Sequence, residues 1–279
     1  MTPQDAPDTA VAPLPTGDDP IMRVANLRKA FGSNRVLRDL SLSFPRGGTT
    51  VVMGPSGCGK SVLLKHLIGL LRPDAGEVWH EDIRIDRLSE SGLGRVRRQI
   101  GFLFQQGALF DSMSVGDNVG FPLREHSELS PEDRRQRVER MLHMVGVPDT
   151  YDKDPATLSG GQRKRVALAR AVVLEPDLIL YDEPTTGLDP IRSDIIGELI
   201  TRLQRALELT SIVVTHDIQL SFRIADRMVL LHEGRVHMQG SPDSFRTTDD
   251  PAVSRFLEGR ATPEELAGLQ PVEGEETSS

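Results

Sequence analysis

The sequence predicts an α/β fold with a mainly parallel core sheet and an inserted α-helical subdomain. Between residues 178 and 240, short apolar runs alternate with helical patterns, as parallel strands and their crossover helices require. A glycine-rich loop follows the apolar run "TVVM" and leads into a helical pattern. Residues 106–157 interrupt the alternation with a helical pattern of their own, which indicates an insert.

The first half of the chain contains most of the predicted strands. Alternating apolar residues predict strands within residues 22–53, and "GKSVLLKHLIGLL" then predicts a helix that ends at Arg72, before Pro73. "GEVWHEDIRI" and "IGFLF" are again typical of strands. After "LILYD" and "SIVVT" we expect helices over 191–208 and 217–224. The run "RMVLLHEGRVHMQG" ends this series.

The helical insert has one well-marked helix. Ser130 is a suitable N-cap, and Pro131 suits the first turn. The apolar residues that follow have the i, i+3, i+4, i+7 spacing of an amphipathic helix, at Val138, Met141, Leu142 and Val145.

The charge of the chain is concentrated at its two ends. The net charge of the 279 residues is −8, but residues 1–20 and 270–279 contain seven acids and no base, which leaves −1 for residues 21–269. A nearly neutral centre argues against nucleic-acid binding, which usually requires a basic surface. Both ends are also rich in Pro, Gly, Ser and Thr, so we predict disordered acidic tails over 1–20 and 270–279.

Between the tails we expect one α/β domain over residues 21–249, with its insert at about 106–157, and a helical extension over 250–269. No apolar run approaches the roughly 20 residues that span a bilayer. The single cysteine, Cys58, excludes an internal disulfide and fits a reducing cytoplasm.

The loop "GPSGCGKS", residues 54–61, predicts phosphate binding. It lies between an apolar strand and a helix, where glycines let backbone N–H groups surround phosphates. Lys60 adds a positive charge at the β- and γ-phosphates, and the Ser61 hydroxyl is a ligand for Mg²⁺. The alternative, a plain glycine-rich turn, would not need Lys60.

The strand "LILYDEP", residues 178–184, ends in two acids. Asp182 at its carboxyl end is placed to hold the Mg²⁺ shell, and Glu183 is placed to orient or deprotonate the attacking water. The alternative is a pair of helix-capping acids before Pro184.

Polar residues also follow two other strands and begin one helix. Gln105 follows "IGFLF" and His216 follows "SIVVT", where they suit a metal-bound water and a γ-phosphate respectively, although each alone is more simply a strand-end polar residue. The segment "LSGGQ", residues 158–162, begins a helix with free N–H groups that suit an anion. The chain therefore has two phosphate-binding devices.

These motifs occur in an order that resembles the nucleotide-binding subunit of an ABC transporter, over roughly residues 22–245. Phe31 matches the aromatic residue that stacks on adenine, Gly54–Ser61 the Walker A loop, and Leu158–Gln162 the signature segment. The positions at which we expect nucleotide, metal or catalytic roles are Phe31, Gly54, Pro55, Ser56, Gly57, Cys58, Gly59, Lys60, Ser61, Val62, Gln105, Ser159, Gly160, Gly161, Gln162, Asp182, Glu183, Asp189 and His216. Ser61, Gln105 and Asp182 are the expected metal contacts. Glu183, His216 and Gln105 are the expected catalytic residues.

The sequence departs from the family at Val62, where a second hydroxyl is usual after "GKS". We therefore expect one side-chain hydrogen bond to a phosphate to be absent.

The resemblance implies an antiparallel β subdomain at the N-terminus and a head-to-tail dimer with ATP and Mg²⁺ between the subunits. The Walker A loop of one subunit would face the signature segment of the other, which accounts for the two phosphate-binding devices. Hydrolysis would then separate the subunits.

The resemblance also implies an integral membrane permease as partner, at the cytoplasmic face of the inner membrane. "QGALFDSMSVGDNVGFPLREH" and "PTTGLDP" resemble the lipid-trafficking branch, which works with an MCE-domain lipid carrier. An importer of polar solutes remains an alternative, as do a soluble ABC ATPase of translation or DNA repair and an unrelated P-loop kinase.

The helical extension has two short amphipathic pieces, one with Val253, Phe256 and Leu257 and one with Leu266 and Leu269. We predict that it packs on the neighbouring subunit and steadies the dimer. The alternative is that it packs on its own domain.

Overall fold

A computed structural model describes residues 19–260 of the chain. Its larger sheet has six strands: β3 (Thr49–Met53), β6 (Ile100–Leu103), β7 (Leu178–Asp182), β8 (Thr210–Val214), β9 (Arg227–His232) and β10 (Arg235–Gly240). They lie in the order β10-β9-β3-β8-β7-β6. All neighbouring pairs are parallel except β9 and β10, which form an antiparallel hairpin. The predicted mainly parallel core sheet is confirmed.

The smaller sheet is antiparallel and confirms the expected β subdomain. It contains β1 (Pro20–Phe31), β2 (Asn34–Pro45), β4 (Ala75–His80) and β5 (Ile83–Arg84), in the order β2-β1-β4-β5. Its outer end carries Phe31, at the turn between β1 and β2.

Nine α-helices cover the larger sheet and form the insert within residues 19–260. They are α1 (Lys60–Leu67), α2 (Glu90–Arg97), α3 (Val115–His126), α4 (Pro131–Met144), α5 (Gly160–Val172), α6 (Pro190–Ala206), α7 (Ile218–Ile224), α8 (Pro242–Arg246) and α9 (Pro251–Glu258). In α4 the Ser130 hydroxyl accepts a hydrogen bond from Asp133 N at 3.1 Å, and the predicted apolar face is buried. The helical insert is therefore confirmed.

The larger sheet is buried on both of its faces. Successive residues of β3 point to different cores: Val51 packs in one hydrophobic cluster and Val52 in the other. In β7 and β8 all five residues are buried. Such strands read as continuous apolar runs rather than alternating ones.

Helix α1 ends earlier than predicted, at Leu67 instead of Arg72. Gly69 takes a left-handed φ of 68°, and its N–H donates to His66 O at 3.0 Å. A glycine in this conformation is a usual helix end, so it stops α1 before Pro73 can. A Cβ at Gly69 would also lie 2.6 Å from Leu93 Cδ2.

The chain ends are only partly covered by the structure. Pro20 already belongs to β1, so strand structure begins one residue inside the predicted tail. Asp19, before Pro20, is described and exposed, whereas residues 1–18 and the tail over 270–279 lie outside the described residues.

The first piece of the C-terminal extension packs on its own domain. It forms α9, in which Val253 is fully buried in the main core and Phe256 and Leu257 pack against that core. The structure thus shows the alternative, packing on its own domain, for this piece, while Phe256 and Leu257 stay partly exposed and packing on a neighbouring subunit stays a prediction. The second piece, with Leu266 and Leu269, lies outside the described residues.

Candidate active site

Three parallel strands bring the candidate residues to one edge of the larger sheet. β3 lies beside β8, and β8 lies beside β7. Their carboxyl ends lead into the Walker A loop, into His216 and into the Asp182-Glu183 pair respectively. Ligands of open α/β sheets bind at this edge.

The Walker A loop requires glycine at its first position. Gly54 has a φ of 152°, and a Cβ there would lie 2.4 Å from Leu231 O and 2.6 Å from Cys58 Sγ. At the other end of the loop, Gly59 is the N-cap of α1 and offers no side chain to its first N–H groups. These N–H groups therefore face the loop, and a helix N-terminus of this kind suits a phosphate.

Lys60 holds its positive charge inside the loop. Its side chain is 7% exposed, and its Nζ donates to Gly54 O at 2.7 Å and to Pro55 O at 3.1 Å. The same Nζ lies 3.9 Å from Glu183 Oε1. The cation thus connects the loop with the acid pair.

Ser61 and Asp182 are in direct contact. Ser61 Oγ donates to Asp182 Oδ1 at 2.8 Å. Burial raises the pKa of the Asp182 carboxyl, and the hydrogen bond from Ser61 opposes this rise. A hydroxyl and a carboxylate are the oxygen ligands that Mg²⁺ prefers, and a divalent cation would compensate for the buried charge. The residues therefore fit a magnesium ion.

Glu183 is held by three donors on one carboxylate oxygen. Its Oε2 accepts from Thr215 Oγ1 at 3.2 Å and from His216 N at 3.3 Å, and lies 2.9 Å from His216 Nδ1. Its side chain is buried, and its φ is 49°, in the left-handed region. With Oε2 held in this way, Oε1 is the oxygen left for other contacts.

Two residues beside Glu183 were not among the predicted ones. Thr215 is fully buried and also accepts from Asp217 N at 3.0 Å. Lys164 of α5 donates to Pro184 O at 2.7 Å, and burial lowers the pKa of its amine to about 8, although Glu183 acts against this. Lys164 lies on the buried face of α5 with Ala167 and Leu168. A lysine within the apolar stripe of a predicted helix is therefore the sequence feature that could have identified it.

Other predicted residues make no hydrogen bond to this cluster in the part of the chain that the structure describes. Gln105 is exposed two residues after β6 and makes no hydrogen bond with Ser61 or Asp182 within residues 19–260. Phe31 is 49% exposed, which leaves its ring available for stacking. Asp189 is the N-cap of α6, where it accepts from Arg192 N at 3.0 Å and pairs with the Arg192 guanidinium at 3.2 Å.

The signature segment forms a capped helix start. Ser159 Oγ accepts from Gln162 N at 3.3 Å, and Gln162 Oε1 accepts from Ser159 N at 2.9 Å. This reciprocal capping box fixes the first turn of α5. A Cβ on Gly160 would meet nothing within 4 Å, so this turn presents an open backbone surface.

Val62 packs where the family pattern has a hydroxyl. Its side chain lies against the hydrophobic cluster beneath the β subdomain, and its carbonyl accepts from His66 Nδ1 at 2.7 Å. The apolar side chain at this position is thus used in packing.

The geometry agrees with comparisons to known proteins. The sequence model of the family described as "ABC transporter" matches residues 37–186. The chain is 42% identical over 239 residues to the "Probable ribonucleotide transport ATP-binding protein mkl" of Mycobacterium leprae, covering 86% of this chain and 69% of the relative. It is 43% identical over 241 residues to the "Intermembrane phospholipid transport system ATP-binding protein MlaF" of Haemophilus influenzae, covering 86% of this chain and 91% of that protein.

A solved structure with the same fold is a dimer of the ATP-binding cassette MJ0796, bound to ADP and Pi in a post-hydrolysis state. It superposes with a TM-score of 0.73 and 34% identity, over 79% of this chain and 98% of that chain. With the family match, the two relatives and the geometry of the candidate site in agreement, the chain belongs to the ABC transporter family, as one of its ATP-hydrolysing subunits.

Proposed function

We propose that two copies of this chain bind ATP between them and use its hydrolysis to drive a membrane permease that moves phospholipid. The observation that carries the proposal is the cluster of Lys60, Ser61, Asp182 and Glu183 in a chain 43% identical to a phospholipid transport ATP-binding protein. The dimeric form of the MJ0796 cassette supports the pairing of two copies.

The Walker A loop would bind the phosphates of ATP through its N–H groups and through Lys60. The ammonium already lies at the centre of the loop, 2.7 Å from Gly54 O, so a small shift brings it to the β- and γ-phosphates. Ser61 and Asp182 would hold Mg²⁺, which when bound neutralises charge on the phosphate oxygens. Gln105 would approach this site from the end of β6.

Glu183 would orient the attacking water and accept its proton. Its Oε2 is occupied by donors from Thr215 and His216, so Oε1, which lies 3.9 Å from Lys60 Nζ, is the oxygen that would bind the water. His216 is 60% exposed, which leaves its ring able to contact the γ-phosphate as the site closes. A carboxylate fixed in this way loses little entropy when it binds the water.

The signature segment would complete the site of the partner subunit. Ser159 and the N–H groups of Gly160 and Gly161 would bind the γ-phosphate held by the other copy, because the capping box leaves these first-turn N–H groups free. Two copies related by a two-fold axis would then form two composite sites. Phe31 would stack on adenine, and Asp189 would lie at the interface.

A groove beside Gln105 would receive the permease. It encloses about 600 Å³, and its apolar walls include Phe102, Phe104, Phe110, Phe121 and Pro122. Phe104 and Phe110 are 40% and 43% exposed. Arg170 of α5 donates to Gly107 O and Ala108 O, both at 2.8 Å, so the groove is tied to the helix that starts at Ser159.

Within residues 19–260, no helix has the length and apolar character that crossing a bilayer requires. We propose that the chain lies at the cytoplasmic face of the inner membrane, bound to its permease. Each buried methylene group contributes about 0.8 kcal/mol, so a two-chain lipid needs an apolar path. We assign that path to the permease and to an MCE-domain carrier.

The second candidate cargo is a polar solute. The relative from M. leprae is 42% identical and has ribonucleotide transport in its name, which favours this alternative specifically. The same ATPase cycle would then drive a permease for nucleotides.

Mass spectrometry of the complex that copurifies with the tagged chain from membranes would distinguish the two cargoes. We expect a permease, an MCE-domain subunit and bound phospholipid. A solute receptor without phospholipid would contradict the lipid assignment while leaving the ATPase assignment intact.

A further inference from the structure

One buried cation close to Glu183 has no part in the chemistry described so far. Lys164 lies on α5 with a side chain that is 7% exposed. Its neighbours on this face, Ala167 and Leu168, belong to the main hydrophobic core. A buried ammonium is costly unless hydrogen bonds compensate for its lost hydration. The contacts of Lys164 therefore indicate its purpose.

Lys164 contacts two main-chain carbonyls of the turn after β7. Its Nζ donates to Pro184 O at 2.7 Å and lies 3.4 Å from Glu183 O. These carbonyls belong to the two consecutive peptides that follow the Cα of Glu183, which has a left-handed φ of 49°. A non-glycine residue keeps this conformation only where its neighbours hold it. Lys164 is one of the groups that do so.

The opposite side of Glu183 is attached to β8. Glu183 N donates to Val214 O at 2.9 Å, and Thr215 Oγ1 donates to Glu183 Oε2 at 3.2 Å. The Glu183 carbonyl also accepts from Thr186 N, within the same turn, at 3.2 Å. Lys164 is therefore the contact that joins this turn to α5, through Pro184 O and Glu183 O, while the amide and carboxylate of Glu183 are held at the end of β8. Loss of Lys164 would release only the contact to α5.

Helix α5 connects this attachment to the signature segment. Lys164 follows the N-cap Ser159 by five residues, which corresponds to about 7.5 Å along a helix axis. The capping box and a continuous α-helix connect Ser159 to Lys164 without a break, so we expect this stretch to move as one unit. A displacement of the signature segment would therefore reach the Glu183–Pro184 peptide.

We propose that Lys164 is a positioning residue for Glu183. Its ammonium holds the Glu183–Pro184 peptide to α5, so that the Glu183 carboxylate faces the attacking water only when the signature helix is in place. The proposal rests on the proposed hydrolysis at Glu183, and it adds a link within each subunit between its signature segment and its own acid.

The test compares Lys164→Met and Lys164→Arg with the wild-type chain in steady-state ATP hydrolysis, equilibrium ATP binding and thermal unfolding. Lys153→Met is the matched control, because Lys153 is exposed in the insert, away from the active site. We expect Lys164→Met to lower kcat by roughly 10- to 100-fold, the cost of a misplaced catalytic group, with KM and ATP binding little changed. Lys164→Arg keeps a charged donor and should restore most of kcat.

A double variant shows whether Lys164 acts through Glu183. If it does, adding Lys164→Met to Glu183→Gln leaves the residual rate unchanged, whereas an independent role lowers it by the same factor as in the wild type. Unchanged kcat in Lys164→Met, or parallel losses of kcat, ATP binding and stability that arginine does not restore, would overturn the proposal. Lys164→Gln, measured in parallel, gives the same comparison if methionine prevents folding.

The proposed function fails in a different way. Wild-type turnover in Glu183→Gln would contradict the role of Glu183 itself. If Lys164→Met keeps the wild-type kcat while Glu183→Gln is inactive, only the role of Lys164 is contradicted.

Discussion

At the level of single residues, Glu183 combines an unfavourable backbone with a dense set of contacts. A left-handed φ in a residue other than glycine costs on the order of 1–3 kcal/mol. Hydrogen bonds from Thr215 and His216 hold the side chain, and Val214 O binds the amide. At Glu183 this backbone directs Oε1 towards Lys60 Nζ, 3.9 Å away.

Replacing this carboxylate tests the proposed chemistry directly. Glu183→Gln keeps the shape of the side chain but removes the proton acceptor. We expect turnover to fall by roughly 10²- to 10⁴-fold, the usual contribution of a general base, with ATP binding retained. Phosphate release and equilibrium nucleotide binding, measured on the same preparation, check both parts.

The matched control for this change is Glu139→Gln on the exposed face of α4, where Glu139 pairs with Arg135. It should hydrolyse ATP as the wild type does. Turnover in Glu183→Gln close to that of the control would exclude Glu183 as the base.

Lys164 also makes the stability of the chain depend on pH. Burial lowers the pKa of its amine from 10.5 to about 8. Between these values the unfolded chain binds a proton that the folded chain does not, so the contribution of Lys164 to stability rises with pH. The free energy of unfolding of the wild type, relative to Lys164→Met, should therefore rise by on the order of 3 kcal/mol between pH 7.5 and 10.5.

Urea unfolding at a series of pH values measures this difference. Lys153→Met, with an exposed lysine, should follow the wild-type curve throughout. Parallel curves for the wild type and Lys164→Met would show that the amine is not desolvated.

At the level of elements, α5 contacts three parts of the molecule. Its first turn carries the signature segment, and Lys164 reaches the turn after β7. Arg170 donates to the carbonyls of Gly107 and Ala108, beside the groove proposed for the permease. A rigid helix with these attachments is suited to connect nucleotide, acid and groove.

A substitution at the exposed first turn of α5 can prevent the two subunits from meeting there without changing the Walker A loop. In Ser159→Arg a long cation replaces a capping hydroxyl at the surface where the two subunits would meet. We expect binding of ATP by the monomer to remain, and the ATP-dependent dimer of a Glu183→Gln background to disappear. Light scattering with ATP and Mg²⁺ measures the dimer.

Lys60→Ala is the informative comparison for this variant. It removes the charge that faces the phosphates and should weaken ATP binding by the monomer itself. An equal loss of monomer binding in Ser159→Arg would contradict the composite site.

At the level of the whole molecule, one strand leads both to the groove proposed for the permease and to a predicted site residue. β6 forms the edge of the larger sheet, Phe104 directly after it lines the groove, and Gln105 is the next residue. Movement of a docked permease would thus reach the nucleotide through Gln105.

Phe110→Ala tests this connection in the assembled complex. Removal of an exposed aromatic anchor should weaken docking by about 1 kcal/mol or more. We expect ATP binding to be retained and phospholipid transfer between labelled vesicles to fall. The control is Leu129→Ala, which changes an exposed apolar residue before α4. If Phe110→Ala transfers phospholipid as fast as this control, Phe110 is not part of the docking surface.

The sequence by itself determined the fold class and the identity of the loop and strand-end residues. The reason is local: the glycine spacing of residues 54–61 and the buried apolar strand before Asp182 depend on backbone conformation and strand burial alone. The Ser130 cap and the apolar spacing of α4 are equally local, and the structure confirms them.

Contacts between distant segments were decided only by the tertiary structure. Val253 is taken into the core of its own domain. Thr215 and Lys164 meet Glu183 across 32 and 19 residues of sequence. A hydrogen bond of this kind depends on which strands are neighbours and on where a helix lies over them, and the periodicity of one segment contains no information on either.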